Sequence, residues 1–402
     1  MERLPLIDYA AVDRLRTWPL DWRYKGLPPD VTSVDELVGR RVPGDGFTSP
    51  VAVLDGPALT GNLDRYAAFC AERGFAFAPH VKTTMAPALA AEQARRGAWA
   101  FTVANVAQAR VLRAFGARRI LIAHHVVDAA AAAWVSAEQE HAEVYCWVDS
   151  AEAVAALDAW ARPERPVPVF VELGLPGGRT GARGVTAAAE VARAVAKAPG
   201  LRLAGVAGYE GSYGHDRSAG AVAAVRQHLA ELVRLADVVD AEIVTAGGSA
   251  YPDLVAEAFA DLPGRRRAVL RSGAYVAHDD GHYAGLSPFA LRPALRVWAT
   301  VVSTPQPGTA FLNLGKRDAS YDLDLPVPRT VLRAGVRLPV DRLTVTALND
   351  QHAYLSDPAG EVVVGDWVAC GISHPCTMFE RWRALPVVDA DDRVTDLVHT
   401  FF

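Results

Sequence analysis

The run Phe-Ala-Phe-Ala-Pro-His-Val-Lys, residues 75–82, is a short apolar strand pattern that ends on a lysine. It is the first of eight apolar, β-branched runs, which alternate with alanine-rich amphipathic stretches. The runs are Phe75–Lys82, Ala100–Asn105, Arg119–His125, Glu143–Asp149, Val167–Leu175, Leu201–Tyr209, Glu242–Gly247 and Ala268–Gly273. Short buried strands that alternate with helices indicate parallel strands joined by helical crossovers. Eight such units predict an α/β fold of the (β/α)8 TIM-barrel type.

The stretches between these runs have helical periodicity. They include Met85–Arg96, Val106–Phe115, Ser150–Trp160, Ala187–Ala198 and Ala219–Val238. An open doubly wound sheet is the competing architecture. The barrel is favoured because the units number eight and no G-x-G-x-x-G motif follows the first run.

The sequence changes character after residue 285. Its apolar segments become short and are interrupted by glycine and proline, which predicts a C-terminal β-rich domain at 286–402. The expected strands are Leu295–Val302, Ala310–Leu314, Val340–Leu348 and Val362–Val368. We therefore expect an N-terminal arm at 1–48 and the barrel at 49–285, with a strand at 49–55 that can pair with the C-terminal domain.

Composition excludes several classes of protein. The 402 residues are 51% hydrophobic and carry a net charge of −5 without a long run of one sign, so no nucleic-acid or membrane partner is expected. Four widely spaced cysteines are too few for a disulfide framework. The charged N-terminus lacks the apolar core of a signal peptide, and no apolar run is long enough to span a membrane. We expect a cytoplasmic protein.

The chemistry of a barrel is found where its strands end, so the polar residues there can be read in order. His80, Lys82, Asn105, His124, His125 and Asp149 come first, followed by the loop 174–183, Tyr209 and Glu210. Gly247, Gly248 and Ser249 follow the seventh run, and Ser272 and Gly273 end the eighth. Backbone N–H groups at these two places commonly hold a phosphate. Ordinary turn glycines are the alternative.

Lys82 is unusual because it ends an apolar strand pattern. Burial lowers the pKa of an amine and frees it to form a Schiff base, although a lysine that extends to solvent is an equal alternative. A first-strand lysine together with a late phosphate cradle suggests an aldehyde cofactor with a phosphate tail. Pyridoxal phosphate is the obvious candidate.

Several segments carry a resemblance to a known family. They are SPVAVLD (49–55), APHVKTTMAP (78–87), GLPGGRTGAR (174–183), AGYEG (207–211), TAGGSAY (245–251), RSGAYVAHDDGHY (271–283), ALNDQHAYL (347–355) and ISHPCTMFERWRALPVVD (372–389). Together they resemble the D-serine dehydratase, or amino acid deaminase, branch of the D-threonine aldolase-like enzymes. The resemblance implies a fold type III pyridoxal-phosphate enzyme of the alanine racemase type, normally a homodimer.

The resemblance also implies roles for individual residues. Lys82 would carry the cofactor, and the pocket around it would include His80, Arg179, Tyr209, Gly247, Gly248, Ser249, Ser272, Gly273 and Tyr275. By position, Arg179 resembles the arginine that faces the pyridine nitrogen in the aldolases, and Tyr209 resembles a residue beside the ring.

His374 and Cys376 form an H-x-C pair. Alternate residues of an extended segment point the same way and can share one ion, although a buried cysteine beside a capping histidine is the usual alternative. The resemblance favours the metal, because dehydratases of this branch bind zinc through this motif while aldolases have aspartate in place of the cysteine. A thiolate ligand favours Zn²⁺ over Mn²⁺ or Mg²⁺.

The expected reaction is β-elimination from a D-3-hydroxy amino acid such as D-serine, which gives a 2-oxo acid and ammonia. Lys82 would remove the Cα proton, and the metal would help the hydroxyl to leave. Retro-aldol cleavage to glycine and an aldehyde is the main alternative, with His352, His124 or His125 as the base. A racemase, with Tyr275, Tyr283 or Tyr321 as its second base, and a non-catalytic cofactor carrier are less favoured.

The sequence departs from the dehydratase-like pattern at three places, namely Val81, Ala274 and Ala-His-His at 123–125. The two histidines lie on the expected catalytic rim, so the preferred substrate can differ from D-serine. The pattern leaves open which residues of the segment 278–283 face the site.

Overall fold

Nine parallel strands form the first sheet of the computed structural model, which describes residues 4–214 and 216–402. The strands of the molecule are β1 Val51–Asp55, β2 Ala76–Phe77, β3 Phe101–Val103, β4 Arg119–His125, β5 Glu143–Val148, β6 Val167–Gly174, β7 Ala182–Arg183, β8 Leu201–Gly208, β9 Ile243–Ala246, β10 Arg267–Leu270, β11 Leu295–Gln306, β12 Gly308–Leu312, β13 Val327–Arg333, β14 Val336–Leu338, β15 Thr344–Leu348, β16 Ala353–Asp357, β17 Trp367–Gly371, β18 Ala384–Val388 and β19 Val394–His399. In the first sheet, eight strands follow the order β2-β10-β9-β8-β6-β5-β4-β3, and β7 pairs with β6.

The helices connect and cover these strands. They are α1 Tyr9–Asp13, α2 Val34–Leu37, α3 Gly56–Glu72, α4 Pro87–Arg95, α5 Val106–Ala114, α6 Ala129–Glu138, α7 Ala151–Asp158, α8 Val185–Val195, α9 Ala219–Val238, α10 Pro252–Phe259 and α11 His282–Leu286. Short 3₁₀ turns lie at Arg14–Thr17, Val81–Thr83, Glu210–Ser212, Pro375–Thr377 and Phe379–Arg381. Among the described residues, no helix combines the length and apolarity that crossing a bilayer requires.

The predicted α/β barrel is confirmed. Parallel strands alternate with helices in the expected order, and the bridge between His80 and Thr102 joins the first strand region to the second. Side chains that alternate along the strands fill the barrel interior, including Leu121, Trp147, Phe170 and Val269. Filling the interior makes it a packed core, so ligands bind where the strands end.

The first strand is shorter than the pattern at 75–82 predicted. Regular pairing covers only Ala76–Phe77, and Lys82 lies in the following 3₁₀ turn. Hydrogen bonds from the N–H groups of Ala78 and His80 to the carbonyls of Leu270 and Ser272 continue the contact past Pro79, which has no N–H of its own to donate. The lysine is therefore presented by a turn rather than by a strand.

Polar residues after the strands begin the next helices. Asn105 accepts a hydrogen bond from the N–H of Gln108, and Ser150 accepts one from the N–H of Ala153. These side chains satisfy helix N–H groups that would otherwise lack partners. Asn105, which we placed among the rim candidates, therefore has a structural role.

The C-terminal domain is a ten-stranded, mainly antiparallel sheet, as the β-rich pattern predicted. Strand β1 pairs antiparallel with β11 and parallel with β18, so the segment 49–55 contributes to this sheet as expected. Two predicted strands are displaced, because pairing begins only at Thr344 and at Trp367. Strands β13, β14, β16, β18 and β19 were not predicted.

The described part of the predicted N-terminal arm is packed rather than loose. Val34, Leu37 and Val42 are fully buried, and they pack in one cluster with Trp298 and Ala369 of the second sheet. Removing this apolar area from water stabilises the contact between the arm and the sheet.

Candidate active site

A cavity of about 560 Å³ opens where the barrel strands end and meets the C-terminal domain. It gathers nine of the ten residues that we assigned to the cofactor and both residues that we assigned to the metal. These are His80, Lys82, Arg179, Tyr209, Gly247, Gly248, Ser249, Ser272, Gly273, His374 and Cys376. Most of the residues predicted for the cofactor and the metal therefore line the same cavity.

Two candidates lie elsewhere. Tyr275 is 2% exposed, its ring centroid lies 4.3 Å from that of Tyr66, and its hydroxyl accepts a hydrogen bond from Gln93, so it belongs to the core. His352 is exposed in the turn between β15 and β16 and does not line the cavity. Neither side chain contributes to this cavity within the described chain.

Lys82 is held by its neighbours in the turn that follows β2. The N–H of His80 donates to the carbonyl of Ser272 at 2.7 Å, which fixes the start of this turn against the end of the barrel. Lys82 itself is exposed at the cavity, which favours the second of the two equal alternatives, a lysine that extends to solvent. The amine is therefore open to an aldehyde that enters the cavity.

The glycines after β9 provide a close approach to the backbone. Gly247 has φ +123°, and a Cβ there would lie 2.5 Å from the carbonyl oxygen of Arg271. A Cβ on Gly248 would lie 3.0 Å from the ring of Tyr209. Ser249 and Ser272 hydrogen-bond to each other at 2.7 Å between their hydroxyl oxygens. This is the small-residue cradle expected for a phosphate.

One N–H group of the cradle is already used. The N–H of Gly247 donates to the buried carboxyl of Glu210 at 2.9 Å. Burial raises the pKa of Glu210, while hydrogen bonds from nearby backbone groups oppose the rise. The donors left for a phosphate are therefore the other backbone N–H groups and the two serine hydroxyls.

The residues beside the cradle set the charge of the cavity wall. The Arg179 guanidinium lies 4.6 Å from the centre of the Tyr209 ring, a cation–π arrangement. Burial lowers the pKa of His80, and the positive charges of Lys82, Arg271 and Arg179 lower it further. His80 is therefore a neutral imidazole at neutral pH. The Nδ1 atom of His80 is buried and has no hydrogen-bond partner in the described part of the chain.

His374 and Cys376 contact both the barrel and the C-terminal domain. Thr83 Oγ1 lies 3.3 Å from Cys376 Sγ, and His374 Nδ1 lies 2.7 Å from the carboxylate of Asp322. Burial lowers the pKa of His374, but the hydrogen bond with Cys376 and the charge of Asp322 outweigh it and raise the pKa to about 9. The surroundings of this pair thus favour a cation.

The segment 278–283 divides into a structural and a cavity-facing part. The carboxylate of Asp279 accepts hydrogen bonds from the N–H groups of Gly281, Tyr283 and Ala284, and Asp280 forms an ion pair with Arg329. His282 and Tyr283 line the cavity. The hydrogen-bonded turn thus positions these two rings.

Sequence reasoning did not single out some residues of the site. Thr83, Trp147, Glu172 and Leu323 line the cavity, and Asp322 holds His374. Asp322 lies in a stretch of the C-terminal domain without a recognised motif, so no local signal identified it. Thr83 directly follows Lys82, and its position in APHVKTTMAP was the only available signal.

The donor set fits pyridoxal phosphate. The cavity offers an exposed amine at Lys82, a cradle that a Cβ on Gly248 would fill, and an aromatic ring at Tyr209. An arginine and an imidazole with an unpaired buried nitrogen complete it. A Schiff-base lysine, a phosphate cradle and groups around the ring are the parts that this cofactor needs.

Two family models match the chain. The alanine racemase N-terminal domain matches residues 54–254, half of the chain, and the putative serine dehydratase domain matches residues 294–388. The D-threonine aldolase of Arthrobacter sp. is 27% identical over 324 residues, which cover 77% of this chain and 81% of the aldolase.

Two solved structures share the fold. The D-threonine aldolase of Filomicrobium marinum has a TM-score of 0.78 at 22% identity, covering 90% of this chain and 97% of that one. The D-threo-3-hydroxyaspartate dehydratase of Delftia sp. HT23 has a TM-score of 0.73 at 23% identity, covering 88% and 98%. The chain belongs to the D-threonine aldolase-like family of fold type III pyridoxal-phosphate enzymes.

Proposed function

We propose that this chain is a pyridoxal-phosphate- and zinc-dependent lyase that removes water from D-3-hydroxy amino acids such as D-serine. The products would be a 2-oxo acid and ammonia. One observation carries the proposal: Thr83, the neighbour of Lys82, lies 3.3 Å from the thiol of Cys376. The candidate cofactor lysine and the candidate metal pair therefore serve the same cavity.

Lys82 would hold the cofactor, with Gly248, Ser249 and Ser272 around the phosphate and Arg179 and Tyr209 beside the ring. When bound, the cofactor supplies an electron sink for the charge that develops at Cα. The Nζ atom of Lys82 would take the proton from Cα of the substrate.

His374 and Cys376 would hold the metal. A thiolate and an imidazole are ligands that zinc accepts, and two protein ligands leave positions for other donors. When bound, the ion supplies a Lewis acid for the hydroxyl that must leave. A D-threo-3-hydroxyaspartate dehydratase of this fold has been solved in a metal-free form with a cysteine replaced by alanine, which supports a cysteine at the metal.

Incubation of the holoprotein with single amino acids tests the reaction. We expect pyruvate from D-serine and none from L-serine, with pyridoxal phosphate and Zn²⁺ present. Lys82→Ala should remove the absorbance of covalently bound cofactor and lower turnover by at least about 1,000-fold. Failure of D-serine, D-threonine and D-3-hydroxyaspartate all to react would overturn the proposal.

Retro-aldol cleavage is the second candidate, because curated and solved relatives carry the name D-threonine aldolase. D-Threonine separates the two reactions: dehydration gives 2-oxobutyrate, whereas cleavage gives glycine and acetaldehyde. Cys376→Asp should shift the products toward cleavage if the thiolate selects dehydration. Cys370→Ala, which changes a buried thiol of the same domain, should leave the ratio unchanged.

We also propose a homodimer, which the family resemblance supports. Light scattering of the purified protein should give twice the mass of the 43.0 kDa chain. A monomer with full activity would overturn this assembly.

A further inference from the structure

Three polar or charged side chains meet on the barrel wall formed by β4, β5 and β6. This cluster is separate from the His374–Cys376 pair. His125 ends β4, Asp149 directly follows β5, and Glu172 lies in β6. We propose that these residues form a second cation site, which binds a divalent ion such as Mn²⁺ or Zn²⁺ through one imidazole and two carboxylates.

The distances suit a single ion. His125 Nε2 lies 3.4 Å from Asp149 Oδ2 and 3.6 Å from Glu172 Oε2. One ligand atom from each residue lies within 4.8 Å of the other two. Ligand atoms about 2.1 Å from a shared ion are separated by about 3–3.5 Å. Small side-chain movements would complete the coordination.

Two of the three ligand atoms, His125 Nε2 and Glu172 Oε2, are buried and have no hydrogen-bond partner in the described part of the chain. The side chains of His125 and Glu172 are 10% and 9% exposed. Buried polar atoms without a partner are costly, so a pair aimed at one point indicates a ligand that satisfies both.

In the described part of the chain, Arg271 does not satisfy these two atoms. Arg271 interacts electrostatically with Glu172, but its guanidinium donates to the carbonyl of Gly208 and to the hydroxyl of Thr245. Asp149 Oδ2 accepts the N–H of Gly181 at 2.9 Å, which orients the carboxylate and leaves it able to bind an ion. A divalent ion would balance the two carboxylates.

The donor atoms distinguish this site from the His374–Cys376 pair. Nitrogen and oxygen ligands suit Mn²⁺ and Zn²⁺, whereas a thiolate disfavours Mn²⁺. Glu172 also lines the cavity that contains Lys82, so an ion bound here would add positive charge to that wall. The site does not depend on which reaction the enzyme performs.

Binding of Mn²⁺ alone tests the inference. In the holoprotein carrying His374→Ala and Cys376→Ala, titration followed by the electron paramagnetic resonance of free Mn²⁺ should still give one site per chain. Adding Glu172→Gln should weaken this binding at least about 100-fold, because a charged ligand is lost. Glu143→Gln, at the exposed opposite end of β5, is the matched control and should leave it unchanged.

Two results would overturn the proposal: no Mn²⁺ bound by the double variant, or equal affinity with and without Glu172→Gln. If the Glu172→Gln variant does not fold, the absorption spectrum of Co²⁺ bound to the His374→Ala, Cys376→Ala variant tests the proposal instead. Absorption without a thiolate band supports the site, and a thiolate band or no binding overturns it. These measurements of metal binding do not require activity. A failure of the proposed D-serine reaction can therefore be told apart from a failure of the proposed cation site.

Discussion

The carboxylate of Asp322 controls the geometry of the proposed metal pair at the level of single residues. It lies 2.7 Å from His374 Nδ1 and accepts a hydrogen bond from the hydroxyl of Thr377 at 2.6 Å. A carboxylate behind a ligating histidine fixes its tautomer and ring orientation. Asp322 is therefore a positioning residue.

Replacing the carboxylate of Asp322 tests whether it orients His374. Asp322→Asn should weaken Zn²⁺ binding by about 10- to 100-fold, because the ring of His374 loses its charged partner. Competition with a chromogenic chelator measures the affinity. Asp324→Asn changes an exposed neighbour and should have no effect. Equal affinities for the two variants would show that Asp322 does not orient the ligand.

His228 makes stability depend on pH. Burial lowers its pKa to about 4, and its Nδ1 lies 2.7 Å from the hydroxyl of Tyr213. The unfolded chain binds a proton more readily than the folded one, so this stability is full above pH 6.5 and is lost as the pH falls toward 4. Between pH 7.5 and 5 the loss is about 2 kcal/mol.

The change His228→Gln should remove that part of the acid sensitivity. Urea unfolding at pH 7.5 and pH 5 measures the free energy of unfolding at each pH. We expect the drop between them to shrink by about 2 kcal/mol. His141→Gln, at an exposed position, should leave the drop as it is. An unchanged drop in the His228 variant would contradict the assignment.

Two loops at the barrel rim meet at the level of structural elements. The turn after β2 presents Lys82, and the segment after β9 carries Gly247 and Gly248. The hydrogen bond between the N–H of His80 and the carbonyl of Ser272 joins the first turn to the end of β10. Lys82 is thus fixed beside the end of β10, and the two glycines follow β9, the strand on the other side of β10.

Gly248→Ala tests the cradle. The added Cβ would lie 3.0 Å from the Tyr209 ring, so the alanine should lower the affinity for pyridoxal phosphate by about tenfold or more while the fold remains. Quenching of intrinsic fluorescence measures the affinity. A Cβ on Gly264 meets nothing within 4 Å, so Gly264→Ala is the control. Unaltered affinity in the Gly248 variant would place the phosphate elsewhere.

At the scale of the whole molecule, helix α3 fastens the barrel to the C-terminal domain. The buried Asn62 side chain donates to the carbonyls of Val276 and Arg292 and accepts from the N–H of Arg292. Val276 follows the last barrel strand, and Arg292 precedes the first strand after it. One amide thus holds both ends of the connecting segment.

Asn62→Ala should therefore reduce the free energy of unfolding by about 2–4 kcal/mol, because buried backbone groups lose their partners. Chemical denaturation monitored by circular dichroism measures the loss. Gly61→Ala, in the same helix where a Cβ meets nothing within 4 Å, should be neutral or stabilising. A loss below about 1 kcal/mol would mean that water replaces the amide.

The sequence by itself determined the barrel, the β-rich second domain and most residues of the candidate site. Periodic apolar runs reveal barrel strands because each must be buried on both faces. Lys82, the glycines after β9 and the His374–Cys376 pair lie in short local motifs, and it was their resemblance to a known family that favoured functional roles over the structural alternatives. These features can be recognised from residues that are close together in the sequence.

Only the tertiary structure decided which side chains meet across the chain. Tyr275 turned into the core against Tyr66, His352 lies outside the cavity, and Asp322 reaches His374 from 52 residues away. Regular pairing of the first strand ended at Phe77, and Glu172 of β6 met His125 of β4 across the intervening β5. Such contacts depend on packing between distant segments, which no local pattern specifies.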